Sequence, residues 1–366
     1  MSLSKQIITS VFLIVVLGLI MIFTASSAEA LDLLLPNTKH ALLKQCFYAL
    51  MSTGFAYIFF RVGYKRVYEN SFAIIVFFSI LLLLVFMPGI GISANGSRRW
   101  LGIGGWSIQP SEFVKYIVPL VFLKQLFSLK PGFSFRDFCI ASLPVGIPIV
   151  LIFLEPNNGT VGVIGASCAI VCFLTKVPLK FWAIPLVVLS GLLVVCAIKM
   201  PYVQGRIYVY LHPEADLKGK GHQPYQAKIA SGSGGLFGKG PGKSIQKLSY
   251  LPEAQNDYIA AIFAEEYGFF GICLLISLYA WLGIAGYAVA MKALTEEERF
   301  GAAVITFLIT FQAFMNMGVV SGLLPSTGLN LPFFSQGGSS LIAHMLAIGM
   351  LVCIAEHSKE NKIAYV

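Results

Sequence analysis

Residues 72–90 read FAIIVFFSILLLLVFMPGI, an uncharged run in which Ser79 is the one polar side chain. As a helix it would rise about 28 Å, close to the ~30 Å hydrocarbon core of a bilayer. Similar apolar runs recur at about 6–28, 41–60, 112–128, 138–154, 161–175, 181–199, 259–290, 300–320 and 340–356. The pattern predicts an all-α polytopic membrane protein of about ten transmembrane helices, one domain over 1–366 with both termini on one side. A large outer loop, 200–257, lies between the seventh and eighth helices. The run 259–290 is long enough to tilt or to begin outside the bilayer, and Pro144 and Pro148 are expected to kink the fifth helix. Composition agrees: 57% of the 366 residues are apolar and 12% charged, against about 45–50% and 25% in soluble domains. A soluble enzyme with a small tail, a disordered chain and a secreted disulfide scaffold are excluded. Lys5 before Ile7–Phe23, followed by Ala28-Glu29-Ala30, imitates a signal peptide. The run is long for that role and reads as an uncleaved first helix.

The net charge is +9, and the bases lie in the connections rather than in a nucleic-acid-binding patch. Arg61, Lys65 and Arg66, then Lys130 and Arg136, then Lys176 and Lys180 mark three connections as cytoplasmic by the positive-inside rule. Lys5, Lys292, Lys359 and Lys362 put both termini on that side as well. Parity then places the basic 200–256 stretch outside. It is either a solvated surface or a field that attracts an anionic, membrane-bound substrate. The seven cysteines fall in or beside apolar runs, so no disulfide framework is implied.

Four outer segments carry the polar chemistry. In Leu251-Pro252-Glu253-Ala254-Gln255-Asn256-Asp257-Tyr258, Pro252 and Glu253 suit the start of a helix. Asp257 then sits where water meets headgroups, where partial desolvation suits a general base; capping or a surface ion pair is the bland alternative. Glu265 and Glu266, deeper in the same apolar helix, demand partners, expected from Lys115 or Arg99. In Gly96-Ser97-Arg98-Arg99-Trp100 the guanidinium groups suit phosphate oxygens, or else snorkel beside an aromatic belt. Pro110 and Ser111 open the next helix, on which Glu112 and Lys115 can pair at i, i+3. The Gly-rich run Ser231–Ser244 lacks the first glycine of a Walker A loop, with Phe237 in that place. Its backbone donors with Lys239 and Lys243 are still expected to cradle a diphosphate. Leu324–Ser340, with two prolines and three glycines, must follow an irregular or re-entrant path, and its hydroxyls bind a sugar or satisfy the backbone. His212, His222 and His344 lack metal-ligand spacing.

Together these segments resemble the SEDS family of bacterial cell-envelope proteins, and its division members, typified by FtsW, more than its elongation members, typified by RodA. The resemblance rests on SIQPSEFVK (107–115), GSGGLFGKG (232–240), QKLSYLPE (246–253) and the 322–340 loop, and it spans the chain. It implies a ten-helix peptidoglycan glycosyltransferase that polymerises lipid II at the outer face of the bacterial inner membrane, at the division septum, with both termini cytoplasmic. By that match Asp257 is the catalytic base. Arg98, Arg99, Lys243 and Lys247 are candidates to meet the diphosphate, and Glu112, Lys115 and Ser339 complete the expected substrate-binding set. No metal ligands are assigned; a divalent cation, Mg²⁺ or Mn²⁺, is the one cofactor left open. A class B penicillin-binding protein and other division proteins are the implied partners, with no nucleic acid. The chain departs from the family where Gln255-Asn256 replace the usual His-Thr and Tyr258 the usual Phe. Asn157 stands for the usual Asp, which removes a secondary acid, and Gln336 for a common Tyr.

Two other classes compete. A lipid II flippase would need polar residues continuing through the bilayer, whereas this chain concentrates them on one side. A non-catalytic division scaffold would make Asp257 dispensable.

Overall fold

The computed structural model describes the chain except residues 33–37, 95–96, 104–105, 200–203, 206–207, 209, 212–221, 248–254 and 365–366. Its helices are α1 (Leu3–Asp32), α2 (Thr38–Val62), α3 (Tyr64–Glu69), α4 (Ser71–Val85), α5 (Pro110–Phe127), α6 (Phe135–Leu154), α7 (Asn158–Leu174), α8 (Leu179–Lys199), α9 (His222–Ser233), α10 (Ile259–Lys292), α11 (Glu296–Val320) and α12 (Gly338–Ala364). Five are long and apolar enough to cross a membrane: α6, α10, α11, and the stretches Leu3–Ser26 and Gly338–Lys359 of α1 and α12. Shorter apolar helices accompany them at Ser71–Val85, Asn158–Leu174 and Leu179–Leu192. Helices α2 and α5 match them in length but carry charge, Lys44 and Arg61 in one, Glu112, Lys115 and Lys124 in the other. The chain is a multi-pass membrane protein. Helix α6 contains Pro144 and Pro148 within one continuous element.

Close helix contacts depend on small residues, as they must where apolar burial gives no preference for helix over lipid. Gly349 of α12 lies so near α2 that a Cβ there would stand 2.3 Å from the Ala56 carbonyl oxygen.

A sheet and a helix stand where the sequence predicts outer connections. The connection 91–108 forms a three-stranded antiparallel sheet, β1 (Gly91–Ala94), β2 (Ser97–Ile103) and β3 (Trp106–Ile108), in that order. The predicted 200–257 loop contains α9, whose Ala227 and Ala230 are wholly buried one turn apart.

Helix α10 is broken at Gly268 (φ 66°, ψ −161°). A break leaves backbone groups without helical partners, and the Gly-rich segment supplies them. Phe269 and Phe270 donate their N–H groups to the carbonyls of Gly235 and Leu236 (2.9 and 3.2 Å). In return Lys239 and Gly240 donate to the carbonyls of Glu265 and Glu266 (2.9 and 3.0 Å). Backbones this close require glycine: a Cβ on Gly238 would stand 2.2 Å from the Glu266 oxygen.

Two sequence expectations are overturned here. Glu265 and Glu266 do not pair with Lys115 or Arg99. Lys239 bonds Glu265 (2.6 Å) and Lys247 bonds Glu266 (2.8 Å). Nor does the Gly-rich segment hold a diphosphate, because the anion it cradles is Glu265. That carboxylate also accepts from the Ser244 hydroxyl (2.5 Å) and from the N–H groups of Ile245 and Gln246 (both 3.3 Å). The motif does bind an anion, but one from its own chain.

Residues 321–337 are irregular, as the prolines and glycines predict, and they are buried at Leu329, Leu331, Phe333 and Phe334. Irregular backbone at such depth is tolerated only when protein satisfies it. Gln312 donates to the Asn330 carbonyl (2.8 Å) and Asn316 to that of Leu329 (2.7 Å). Gly18 of α1 lets the segment pass: a Cβ there would lie 2.6 Å from the Phe334 oxygen and 2.8 Å from its Cα. Gly18→Val should therefore cost about 1–3 kcal/mol, the usual penalty of overpacking. Thermal unfolding of the detergent-solubilised protein would read this as a lower midpoint; an unchanged midpoint would contradict the packing.

Candidate active site

The polar ends of α2, β2, α5, α9, α11 and α12 surround a cavity of about 630 Å³, into which the turn before α10 and the 321–337 segment also project. Asp257 lines it, in the turn 255–258 that leads into α10. The Leu251–Ala254 part of its motif, including the expected helix start at Pro252 and Glu253, lies outside the described residues. The turn is fixed from three sides. Gln255 accepts from the Gln336 N–H (2.9 Å), Asp257 accepts at its carbonyl from the Asn316 amide (2.8 Å), and the Tyr258 hydroxyl donates to Ser326 (3.0 Å). A phenylalanine at 258 could not make that last bond.

Arg99 lines the cavity and Arg98 does not. The register of β1 on β2 pairs Ile92 with Trp100 and Ser93 with Arg98, so Arg99 is the extra residue of a β-bulge. A bulge breaks simple alternation and re-aims side chains, so consecutive Arg99 and Trp100 both face the cavity. Arg99 donates to the carbonyls of Glu155 and Pro156 (3.0 and 2.6 Å), which anchors it to the loop after α6. Arg98 is exposed on the other side of the strand.

Of the other expected substrate-binding residues, Glu112 and Ser339 line the cavity, while Lys115, Lys243 and Lys247 do not. Lys115 is 1% exposed, bonded to Glu112 (2.6 Å) and to the Gln312 side-chain oxygen (2.8 Å). The i, i+3 pairing read from the sequence is present, but it takes Lys115 out of reach of a ligand. Lys247 is held by Glu266, and Lys243 is exposed on the Gly-rich segment. The Ser339 hydroxyl accepts from the Gln109 N–H (3.0 Å), which pins the start of α5 to α12.

Two cations that the sequence did not single out take their places. Lys44 of α2 and Lys228 of α9 are exposed side chains on the cavity wall. The available signals were faint: Lys44 interrupts an apolar run one turn before Tyr48, and Lys228 stands between the two buried alanines of α9.

Among the described residues no three His, Cys, Asp or Glu side chains converge as a metal cage would require. The acids on the cavity wall among the described residues are Asp257 and Glu112, and Glu112 already serves Lys115. Among the described residues that donor set does not fit a resident divalent cation. One carried in on a diphosphate would belong to the substrate.

A second cavity, of about 590 Å³, opens beside the first between α2, α4, α5 and α12. It is lined by Phe47, Met51, Phe78, Trp106, Phe113 and Ile342 among others, and shares Tyr48, Ser107 and Ser339 with the polar cavity. The polar chamber and the apolar slot thus share part of a wall.

The profile of the FtsW/RodA/SpoVE family, described as cell cycle proteins, matches residues 4–360. The chain belongs to this family. It is 37% identical over 353 residues to the stage V sporulation protein E of Bacillus subtilis, covering 95% of each chain. It is 35% identical over 360 residues to a probable peptidoglycan glycosyltransferase FtsW of Legionella pneumophila, covering 97% of this chain and 91% of that one. A chain from a solved peptidoglycan synthase complex, in work on the coordination of polymerization and crosslinking, superposes with a TM-score of 0.77 at 25% identity, covering 96% of this chain and 97% of its own. The rod-shape-determining protein RodA of Thermus thermophilus shares the fold, with a TM-score of 0.69 at 24% identity over 96% of this chain and 95% of that one. The SEDS resemblance seen in the motifs is therefore met along nearly the whole length.

In this family member the loop after α6 holds a second acid. Glu155 is 1% exposed, and neither carboxylate oxygen has a hydrogen-bond partner. Burial pushes its pKa up to about 8, against a smaller downward pull from Arg99. Asn157, where an acid is usual, lines the cavity and donates to Ser111 (3.3 Å). The raised pKa has a definite sign for stability. Below the ordinary carboxyl value of 4.5 folded and unfolded chains are both protonated at this position, and burial of the neutral acid carries no ionisation penalty. Between about 4.5 and 8 the unfolded chain ionises first, so each pH unit costs the fold about 1.4 kcal/mol from this group. Glu155→Gln should match wild type in thermal stability at pH 4 and exceed it increasingly up to pH 8. Equal midpoints at pH 8 would refute the buried, protonated state.

Proposed function

We propose that the chain is a peptidoglycan glycosyltransferase that polymerises lipid II at the outer face of the bacterial inner membrane, in septal wall synthesis. With the ten crossings and cytoplasmic termini expected from the sequence, the cavity would open at that face. One observation carries the reading: Asp257 is a carboxylate on the wall of a polar chamber, and the other acid there among the described residues, Glu112, is committed to Lys115. An inverting displacement needs one base and stabilisation of the leaving group, and the chamber offers that combination.

The reaction follows from the placement. A sugar hydroxyl of the acceptor attacks the donor anomeric carbon. The new C–O bond forms as the bond from that carbon to the diphosphate oxygen breaks, and undecaprenyl diphosphate leaves with the electron pair. Asp257 takes the hydroxyl proton. The developing negative charge on the diphosphate is met by Lys44, Arg99 and Lys228, positioned before the reaction begins. Arg98, Lys243 and Lys247 have no part in this. The apolar slot suits the prenyl chain, because it is apolar and shares the wall residues Tyr48, Ser107 and Ser339 with the chamber. A class B penicillin-binding protein would then crosslink the strands.

Polymerisation of labelled lipid II by the purified chain, with and without its penicillin-binding protein, tests the reading. Asp257→Asn keeps the shape and removes the base, and should lower the rate by about 10²-fold or more. A variant as fast as wild type would dismiss the assignment, and an inactive wild type with its partner would dismiss the activity. Lys44→Ala and Lys228→Ala each remove a cation from the chamber and should weaken lipid II binding about tenfold at low salt, less at high salt. Binding that ignores both changes and salt would place the diphosphate elsewhere.

A further inference from the structure

Resting on the glycosyltransferase reading, we propose that Asn316 is a positioning residue for the catalytic base, holding the Asp257 turn and the Leu329 backbone in one fixed relation. Asn316 is 1% exposed on α11, behind the chamber and not on its wall. Its amide nitrogen donates two bonds, 2.8 Å to the Asp257 carbonyl and 2.7 Å to the Leu329 carbonyl. Both neighbours are acceptors, so the orientation of the amide is decided by chemistry: only the NH₂ group can face them. One side chain thereby joins the residue that carries the base to the irregular segment that forms a neighbouring part of the wall.

The join matters because the base stands on a turn and not within a helix. Residues 255–258 precede the first regular turn of α10. The 321–337 segment also bonds the turn at Gln255 and Tyr258, its first and last residues. Asn316 grips the backbone of Asp257 itself, and it does so from a buried helix. Its neighbour one turn earlier, Gln312, grips Asn330 of the same segment and accepts from Lys115. The two amides make α11 a rigid back plate against which both the turn and the segment are registered. Loss of the Asn316 bonds would let the Asp257 carboxylate drift from the acceptor hydroxyl, and a displacement of about 1 Å can cost 10²-fold in rate. Substrate capture, which falls to Lys44, Arg99 and Lys228, would be untouched.

Asn316→Ala removes the donor. Asn316→Asp keeps the size but turns acceptor oxygens toward two carbonyls. Steady-state polymerisation, lipid II binding and thermal unfolding would be measured for wild type, both variants and Asp257→Asn. The expected result is a kcat lower by about 10²-fold in both variants, with KM and lipid II affinity within about threefold of wild type. The unfolding midpoint of at least one variant should stay within a few degrees of wild type. An unchanged kcat overturns the proposal. So does a loss in which kcat, affinity and midpoint fall together in both variants, since that describes a purely structural residue. An inactive wild type, or an active Asp257→Asn, would instead bring down the underlying reading of the site, and is recognised separately in the same assay.

Discussion

Irregular backbone buried among membrane helices must find partners for its amides and carbonyls inside the protein, since lipid offers none. The rest of this structure depends on how residues 321–337 meet that constraint. Gln312 and Asn316 of α11 take the carbonyls of Asn330 and Leu329, and Ser335 accepts from the Leu331 N–H (2.8 Å). Gly18 and Gly338 allow α1 and α2 to close over the segment, where a Cβ would collide with Phe334 and Tyr48. Once seated, the segment supplies one wall of the chamber and holds the turn that carries Asp257. The site is thus a by-product of satisfying a deeply buried stretch of chain.

The same demand explains the distribution of charge. A carboxylate in an apolar helix is tolerable when it is paired, and Glu112, Glu265 and Glu266 each have a lysine within 2.8 Å. Those pairs use Lys115, Lys239 and Lys247, three cations that motif reading would assign to the substrate. The Gly-rich segment shows how an anion-binding motif can be genuine in chemistry and internal in purpose. Its donors converge on Glu265 and repair the break in α10. Once these pairs are set aside, Lys44, Arg99 and Lys228 are the basic side chains on the chamber wall among the described residues, and Asp257 lines the same wall.

The departures from the family pattern also acquire a meaning in three dimensions. Tyr258 gains a bond to Ser326 that phenylalanine would lack. Asn157 replaces a charge with an amide that bonds Ser111. Both add a polar bond at the wall and leave Asp257 and Glu112 as its acids among the described residues.

The amino-acid sequence by itself determined the class of the protein. Long uncharged runs have few alternatives to membrane helices, because an unpaired peptide group in hydrocarbon is too costly. It also determined the irregular course of 321–337, through prolines and glycines that bar a helix; Asp257, expected inside a helix entered at Pro252 and Glu253, instead stands on the turn ahead of α10, which begins at Ile259. The Glu112–Lys115 pair was legible because i, i+3 spacing is local. Legibility stopped at long range. Which lysine meets Glu265, whether Arg98 or Arg99 turns to the chamber, and that Lys44 and Lys228 stand on its wall depend on residues brought together from tens or hundreds of positions apart. The sheet over 91–108 and the helix α9 were missed because both are short and gain their stability from neighbours more than from their own pattern. Only the tertiary structure decided these points, because a charged group is assigned by the nearest partner in space, and spacing along the chain does not encode that distance.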